Sequence, residues 1–281
     1  MTKKPNSMRH LDEAIRRIGN GSPEEYVRIR TLMANAIVAQ MLPDGVIKGG
    51  SALKMRFGNT ATRYTTDLDT ATATDPEVYA EKLATTLTKG WEGFTGRIVQ
   101  REPAHPEGIL QEYVMRPFDI KLSYNGKPWC TVPLEVGHNE IGDADTIDWI
   151  ELKEVADIFN EIGFSTPGKV PLMPLTHQIA QKIHAVTGSK DRVRDLIDLQ
   201  LIADNAVIDL AETRSVCVRL FAYRNKQTWP PFATKGEGWD ELYAVQARNL
   251  PVRRSVDEAL TWINSFIIKI ENAHNRQPEK R

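Results

Sequence analysis

The stretch KGGSALKMRFGNTATRYTTDLD, residues 48–69, decides the fold and most of the candidate site. Gly49-Gly50-Ser51 opens a predicted short helix, where glycines let backbone N–H groups approach phosphate oxygens and Ser51 adds a hydroxyl. Asp67 and Asp69 lie two apart on a predicted strand, so their carboxylates point to one face. Hard divalent cations such as Mg²⁺ prefer such oxygen ligands. Two ions held this way can activate a hydroxyl and stabilise the pyrophosphate that leaves a nucleoside triphosphate.

The residues around this stretch predict a mixed sheet with helices, preceded by an N-terminal helix. Ser22-Pro23-Glu24-Glu25 starts that helix with an N-cap serine, a proline in the first turn and a capping-box glutamate. Asn125-Gly126 is a strong signal for a two-residue hairpin turn. Four strands are predicted, at residues 46–48, 65–71, 118–124 and 129–136. The hairpin is therefore expected to join the sheet that carries Asp67 and Asp69.

The pattern changes to helices after about residue 140. Residues 148–162 are predicted to be helical and 165–174 to be a proline-rich linker. Further helices are predicted at residues 176–186, 193–203, 208–223, 237–248 and 255–274. We therefore expect a core with N-terminal helices at residues 1–145 and a helical domain at 146–281, with the boundary near residues 140–165.

The composition excludes several classes of protein. With 36 Lys and Arg against 37 Asp and Glu, the chain has no general basic field, so any RNA site must be a local patch. Cys130 and Cys217 are too far apart to indicate a disulfide framework or a metal site. No apolar run approaches the ~20 residues of a membrane span, and the polar start lacks the apolar region of a secretory signal. We expect a cytoplasmic protein that does not contact a membrane.

Several segments together resemble one known family. GGSALKMRFG followed by RYTTDLD is similar to the signature of the polymerase-β-like nucleotidyltransferases, and most of all to the AbiEii-type toxins that include the MenT group. MRPFDIKLSYNGKPWCTVPLEVGH and QIAQKIHAVTGSKDRVRDLIDL extend the resemblance over roughly residues 45 to 205. It implies an α+β fold, in which a nucleotidyltransferase core is followed by a mainly helical C-terminal domain that closes the nucleotide cleft.

The resemblance implies a third carboxylate on a neighbouring strand, which helps to deprotonate the attacking hydroxyl. Asp119 and Glu135 each lie between apolar residues of a predicted strand, where an unpaired charge is costly. They occupy the two arms of one hairpin, so one can face the metals while the other pairs with a base such as Lys121. We prefer Glu135 as the catalytic and metal-binding residue and keep Asp119 as the alternative.

Basic and acidic residues elsewhere complete the expected site. Arg63, four residues before Asp67, is placed to neutralise triphosphate charge. The resemblance implies that Lys182 contacts the nucleotide phosphates from the second domain. Asp195 and Asp198 share a helix face; we expect them to orient Lys182 and Arg63 or to contact the nucleotide through water, Asp195 in catalysis and Asp198 in binding.

The resemblance implies a toxin of a toxin–antitoxin pair that uses Mg²⁺, with two ions expected, to add nucleotides to RNA. The expected donor is CTP or UTP, and the expected acceptor is the 3′ end of tRNA, whose modification would block translation. A cognate antitoxin protein is the expected partner. Two alternatives stay open: a small-molecule nucleotidyltransferase of the aminoglycoside type, which shares the same core motif, and a non-catalytic interaction protein, against which intact Asp67 and Asp69 argue.

Overall fold

The computed structural model of the chain describes residues 3–58, 61–103, 114–188 and 192–275. The chain divides into two compact units. We call Met1–Asn59 with Tyr64–Met173 the sheet unit, and Thr60–Arg63 with Pro174–Arg281 the helical unit. Strands and helices are mixed, as the sequence predicts, so the fold class is α+β.

The sheet unit is built on one mixed sheet, which has seven strands among the described residues, in the order β3-β4-β5-β2-β1-β7-β6. Strand β2 lies at its centre, antiparallel to β1 and parallel to β5. Strand β7 runs parallel to β1, and β6 pairs antiparallel with β7 at the edge. The strands are β1 Val46–Lys48, β2 Leu68–Thr72, β3 Phe94–Gln100, β4 Arg116–Tyr124, β5 Lys127–His138, β6 Asp148–Ile150 and β7 Val170–Leu172.

Helices pack on this sheet, and α2 begins where the sequence signals place it. The helices of the sheet unit are α1 Met8–Ile18, α2 Pro23–Ala39, α3 Gly49–Phe57, α4 Pro76–Lys89 and α5 Lys153–Ile162. The Ser22 hydroxyl accepts a hydrogen bond from the backbone N–H of Glu25, which caps α2 as predicted. The apolar stripe of α2 then packs into the main core, with Leu32, Met33 and Ile37 almost fully buried.

The hairpin formed by β4 and β5 confirms the turn signal. Asn125 and Gly126 have φ values of +46° and +74°, the left-handed conformations that a two-residue hairpin turn requires. Alternate residues of both strands, such as Ile120 and Leu134, are fully buried in the core. This alternation fixes the register, because a slip by one residue would turn the apolar side chains to the other face.

Some elements differ from the sequence predictions. Residues 148–150 form strand β6 rather than the start of a helix, because they pair with β7 inside the supposed linker at 165–174. Strand β3 was not predicted. The two units divide after Met173, later than the boundary expected between residues 145 and 146, because β6, α5 and β7 belong to the sheet unit. Strand β2 begins at Leu68, so Asp67 precedes the strand.

The helical unit has its own core. Its helices are α6 Leu175–Gly188, α7 Val193–Asn205, α8 Leu210–Arg224, α9 Trp239–Gln246 and α10 Val256–Glu271, with a short 3-10 turn at Asn272–Asn275. Apolar side chains from four of them are fully buried, among them Ile183, Leu199, Val216 and Ile263. Within the described part of the chain, no helix is both long and apolar enough to span a bilayer.

Candidate active site

The start of α3 brings a glycine against a carboxylate. Gly49 has a φ of +66°, a conformation that L side chains rarely adopt. A Cβ added at Gly49 would lie 2.0 Å from Oδ2 of Asp69 and 2.9 Å from its Cγ. The carboxylate of Asp69 therefore occupies the space that any other residue at position 49 would fill. Glycine is required here both for the backbone and for the close approach of the carboxylate.

Three charged residues form a row across neighbouring strands. Asp69 on β2 is in register with Glu135 on β5 and with Lys48 on β1. Residues directly opposite each other on paired strands project from the same face of the sheet, and neighbouring strands lie about 4.8 Å apart. The register thus sets two carboxylates side by side with a lysine on the far side of Asp69.

Lys48 is a candidate that the sequence analysis missed. It occupies the N-cap position of α3, but its side chain makes no capping hydrogen bond. Its amino group lies over β5 instead, since a Cβ added at Gly137 would come within 3.0 Å of Nζ. Because Gly137 has no side chain, the half-buried side chain of Lys48 can extend across the face of the sheet that carries Asp69 and Glu135. The only signal in the sequence was a lysine directly before Gly49-Gly50. The strand pairing shows that this lysine lies beside Asp69.

Ser51 ties the first turn of α3 to the segment that carries Asp67. Its hydroxyl donates a short hydrogen bond to the backbone carbonyl of Asp67. The side-chain amide of Asn35, on α2, donates to the same hydroxyl over 3.4 Å. Ser51 is 1% exposed and Asn35 is 2% exposed, so this link is buried. Ser51 thus holds the backbone of the acidic segment in the described conformation.

Asp67 stands apart from the other acids in this structure. It is exposed, and its Oδ1 accepts a hydrogen bond of 2.8 Å from the hydroxyl of Thr66. Among the described residues, no three side chains of the metal-binding types converge on one point. The donor set itself fits a hard cation, because Asp69 and Glu135 offer only carboxylate oxygens and Asp69 is seated firmly against Gly49. Asp67, two residues before Asp69 in the sequence, is the nearest further carboxylate that can join this donor set.

The two candidates for the third carboxylate lie in different environments. Asp119 on β4 faces Pro133, and its carboxylate accepts hydrogen bonds from Lys121 at 2.8 Å and from Arg101 at 3.5 Å. The hydrogen bond from Lys121 is the main cause that lowers the pKa of Asp119. Glu135 is directly beside Asp69, and its carboxylate has no hydrogen bond or ion pair among the described residues. The geometry favours Glu135 and gives Asp119 a structural ion pair.

Arg63, Lys182, Asp195 and Asp198 form one buried cluster inside the helical unit. Arg63 binds both carboxylate oxygens of Asp198, at 2.9 and 3.1 Å. The amino group of Lys182 donates to Asp198 over 2.7 Å and to Asp195 over 3.0 Å. The side chains of Lys182 and Asp198 are 8% and 2% exposed. Asp198 therefore joins the two cations, in the orienting arrangement considered for these acids.

The ionisation of this cluster follows from opposite charges in a dry environment. Burial alone would lower the pKa of Lys182, but the attraction of Asp198 and Asp195 outweighs it and raises that pKa above its ordinary 10.5. Burial alone would likewise raise the pKa of Asp198, but Lys182 and Arg63 lower it below its ordinary 3.8. The charged forms are thus kept throughout the neutral pH range.

Lys54 and Arg56, two other basic residues near the glycines, are used for structure. Lys54 is 2% exposed, donates to the backbone carbonyl of Thr65 over 3.2 Å and lies over the ring of Tyr64. Arg56 binds the carboxylate of Asp148 at 2.7 Å and so connects α3 to the edge strand β6. Both side chains are held by these contacts rather than presented at the start of α3.

Comparison with known proteins agrees with this fold. A sequence model of the family described as "Nucleotidyl transferase AbiEii toxin, Type IV TA system" matches residues 30–262. Among solved structures, MenT4, a nucleotidyltransferase toxin from Mycobacterium tuberculosis H37Rv, is similar with a TM-score of 0.54 and 17% identity, over 94% of this chain and 97% of its own. That likeness shows the fold.

A second solved structure is a looser match. JHP933 from Helicobacter pylori has a TM-score of 0.41 and 14% identity, over 86% of this chain and 90% of its own. A search of curated proteins finds no match.

Proposed function

This chain belongs to the AbiEii family of nucleotidyltransferase toxins, and we propose that it transfers a nucleotide from a nucleoside triphosphate to a hydroxyl of RNA. The family implies a nucleoside triphosphate substrate, a divalent cation and an antitoxin partner. The proposal rests mainly on the position of Asp69. Its carboxylate lies against Gly49 at the start of α3, and Asp69 is paired with Glu135 on the neighbouring strand β5.

The start of α3 suits the triphosphate. The helix N-terminus carries a partial positive charge and N–H groups without intrahelical partners. The N-cap side chain makes no capping hydrogen bond, so phosphate oxygens can accept from Gly50 and Ser51. Lys48 adds a full positive charge on the same side of the sheet as Asp69, where it can neutralise a non-bridging phosphate oxygen.

Asp69, Glu135 and Asp67 are the residues that would hold Mg²⁺. Bound ions would supply Lewis-acid stabilisation of the phosphoryl oxygens and would lower the pKa of a coordinated hydroxyl. Asp69 would anchor this centre, because its carboxylate lies in the space that the absence of a side chain at Gly49 leaves open. In the proposed reaction the hydroxyl oxygen of the acceptor bonds to the α-phosphorus, and the bond from that phosphorus to the bridging oxygen breaks. Pyrophosphate leaves, and a carboxylate oxygen of Glu135 accepts the hydroxyl proton.

The proposed acceptor is the 3′ end of tRNA, and the proposed donor is CTP or UTP. A nucleotide added at that end would remove the hydroxyl that is aminoacylated, so translation would stop in the cytoplasm. A cognate antitoxin would prevent this until it is lost. Support for these finer points comes from the family of toxins, while the residues described above support nucleotidyl transfer in general.

The test is incubation of the purified protein with Mg²⁺, one α-labelled nucleoside triphosphate at a time and total tRNA, followed by a denaturing gel. Asp69→Asn keeps the shape of the side chain and removes its charge, and we expect it to abolish labelling. Asp157→Asn, at an exposed position of α5, is the matched control. Labelled RNA that persists with Asp69→Asn would disprove the assigned role of Asp69. Label in no RNA would move the acceptor to a small molecule.

A further inference from the structure

Helix α3 and the segment that carries the candidate metal ligands touch at three places. Successive contacts step back along the helix while they step forward along the segment at every second residue. The contacts join Lys54 to Thr65, Ser51 to Asp67 and Gly49 to Asp69. Helix and segment therefore run antiparallel, and the three contacts together set the position of the acids relative to the start of α3.

The two aspartates of this segment are held to different degrees. Asp69 belongs to β2, so its pairing with Lys48 on β1 and with Glu135 on β5 also fixes its place. Asp67 precedes that strand, and its exposed carboxylate accepts a hydrogen bond from the hydroxyl of the adjacent Thr66. The position of Asp67 thus depends more than that of Asp69 on the side chains of α3 that hold the segment.

Lys54 is an unusual residue for a buried position. It is 2% exposed although it carries an ammonium group, and taking such a group out of water is unfavourable. Its Nζ donates to the carbonyl of Thr65 over 3.2 Å and lies 4.9 Å from the centre of the Tyr64 ring, at a cation–π distance. Both contacts are with consecutive residues just before the acids. An apolar side chain would fill the same space without desolvation of a charge, so a lysine here indicates that its polar contacts matter.

We propose that Lys54 is a positioning residue for the metal site. By holding the segment before Asp67, it sets whether the Asp67 carboxylate can join Asp69 and Glu135 around a divalent cation. Without this contact the segment loses one of its attachments to α3, while Asp69 keeps its strand pairing. Lys54 therefore acts through Asp67 and does not itself touch the metal or the nucleotide. This inference rests on the proposed function, because it concerns the same site.

Two largely buried bases of α3 provide a test variant and its matched control. Lys54→Met removes the charge and the donor and keeps an unbranched side chain that fills most of the same space. Arg56, whose side chain is 12% exposed, bonds instead to the carboxylate of Asp148 on β6 at 2.7 Å and to the carbonyl of Met173 at 3.3 Å. Arg56→Met should therefore destabilise the sheet unit without moving the acidic segment. Lys54→Gln, which keeps an N–H donor on a shorter side chain, is the milder second variant.

The first readout is the binding of Mn²⁺ alone, which takes the same oxygen ligands as Mg²⁺ and is followed by electron paramagnetic resonance. We expect Asp67→Asn to weaken Mn²⁺ binding, and Lys54→Met to weaken it about 10–100-fold, the range for residues that orient metal ligands. Added to Asp67→Asn, Lys54→Met should cause little further loss, because it acts through that carboxylate. Arg56→Met should leave the affinity for Mn²⁺ unchanged.

The second readout is the rate at which an α-labelled nucleotide is transferred to tRNA. Lys54→Met should lower this rate about 10–100-fold, and Arg56→Met should not. Urea unfolding should show a loss of stability in both variants, so a loss of stability alone would affect both rates alike. If Lys54→Met is not folded at the assay temperature, the same comparisons are made with Lys54→Gln.

Unchanged Mn²⁺ affinity in the Lys54 variants would overturn the proposal, as would an equal loss in Arg56→Met. Losses that multiply when Lys54→Met and Asp67→Asn are combined would also overturn it, because Lys54 would then act independently of Asp67. If the Mn²⁺ results are as expected but the unmodified protein labels no RNA, the positioning role stands and the transfer to RNA fails. If RNA is labelled but Asp67→Asn binds Mn²⁺ normally, the transfer stands and the role assigned to Lys54 is wrong.

Discussion

Gly49→Ala tests the central geometry of the site with the smallest possible change. The added Cβ would lie 2.0 Å from Oδ2 and 2.9 Å from Cγ of Asp69, distances that real Cβ atoms do not reach, and 3.2 Å from its Cβ, which is a tight contact. Either the carboxylate or the start of α3 must move by about 1 Å or more. Alanine at a φ of +66° also strains the backbone, at about 1–2 kcal/mol.

The strain and the collision can be separated with a second glycine. Gly126 has a φ of +74°, and a Cβ added there meets no atom within 4 Å. Gly126→Ala therefore carries the same kind of backbone cost, about 1–2 kcal/mol, without displacing any side chain. Urea unfolding of both variants should give similar losses from the backbone, with any extra loss in Gly49→Ala due to the collision.

The activities of the two variants should differ far more than their stabilities. A misplacement of about 1 Å in a catalytic group can reduce a rate about 100-fold. We expect Gly49→Ala to lose at least about 100-fold in nucleotidyl transfer, equivalent to about 2.7 kcal/mol, and Gly126→Ala to stay within about twofold. The assay is single-turnover transfer of an α-labelled nucleotide, measured below the unfolding temperature of both proteins. Retained activity in Gly49→Ala, or equal loss in Gly126→Ala, would refute the reasoning.

Three further predictions follow from the same contacts. Glu135→Gln should reduce transfer at least about 100-fold, whereas Asp119→Asn should cost mainly stability; the opposite ranking in a transfer assay would make Asp119 the third carboxylate. Lys48→Met should weaken tripolyphosphate binding in dialysis about tenfold with little change in urea unfolding, and unchanged binding would remove Lys48 from the phosphate site. Asp198→Asn should destabilise the fold by about 3–5 kcal/mol near pH 7, because Lys182 loses its closest partner. The Asp198 contribution is present above its unfolded pKa of 3.8 and is lost as the pH falls through its lowered folded pKa. Urea unfolding should therefore show the gap between the two proteins narrowing below pH 3.8; a gap that stays constant would contradict the ion-pair account.

Local signals were sufficient where a few neighbouring residues determine the conformation. Ser22 and Glu25 define the start of α2, and Asn125-Gly126 defines the hairpin turn. Strands β6 and β7 have only three residues each, too few to show a period, and they exist because Asp148 pairs with Leu172 far along the chain. In β3 the pattern is broken by Gly96 and by several half-buried positions, which weakens the alternation that indicates a strand.

The site shows the same division between local and long-range information. Gly49 and Asp69 were visible as a motif, but their contact depends on the pairing of β1 with β2. The place of Glu135 depends on the parallel pairing of β2 with β5, between residues 66 positions apart. From the sequence, the two strands of one hairpin carried equivalent candidates, Asp119 and Glu135. Only the register of the strands shows that Glu135 is the one beside Asp69. Lys48 was missed because a single lysine before a turn is common, and only the pairing of β1 with β2 places it beside Asp69.

The described charge clusters differ in how completely they are neutralised. In the helical unit, Arg63 and Lys182 already bind Asp198 and Asp195 at hydrogen-bonding distance. A phosphate that bound either cation would compete with a buried carboxylate for it, and a carboxylate that lost its partner would be costly to keep buried. This network is therefore balanced without a nucleotide, and its first contribution is to the stability and alignment of α6 and α7.

In the sheet unit, Glu135 has no hydrogen bond or ion pair among the described residues, and it is paired with Asp69, a second carboxylate, on the neighbouring strand. A bound cation favours two like charges held side by side. Lys48 has no ion pair among the described residues, and the helix N-terminus behind it has no side-chain cap. In the proposed function, a complex of Mg²⁺ with a triphosphate would bring a cation to these acids and an anion to Lys48 and the start of α3. Substitutions in the sheet unit should therefore act first on nucleotide binding and transfer, and substitutions in the buried network of the helical unit should act first on stability.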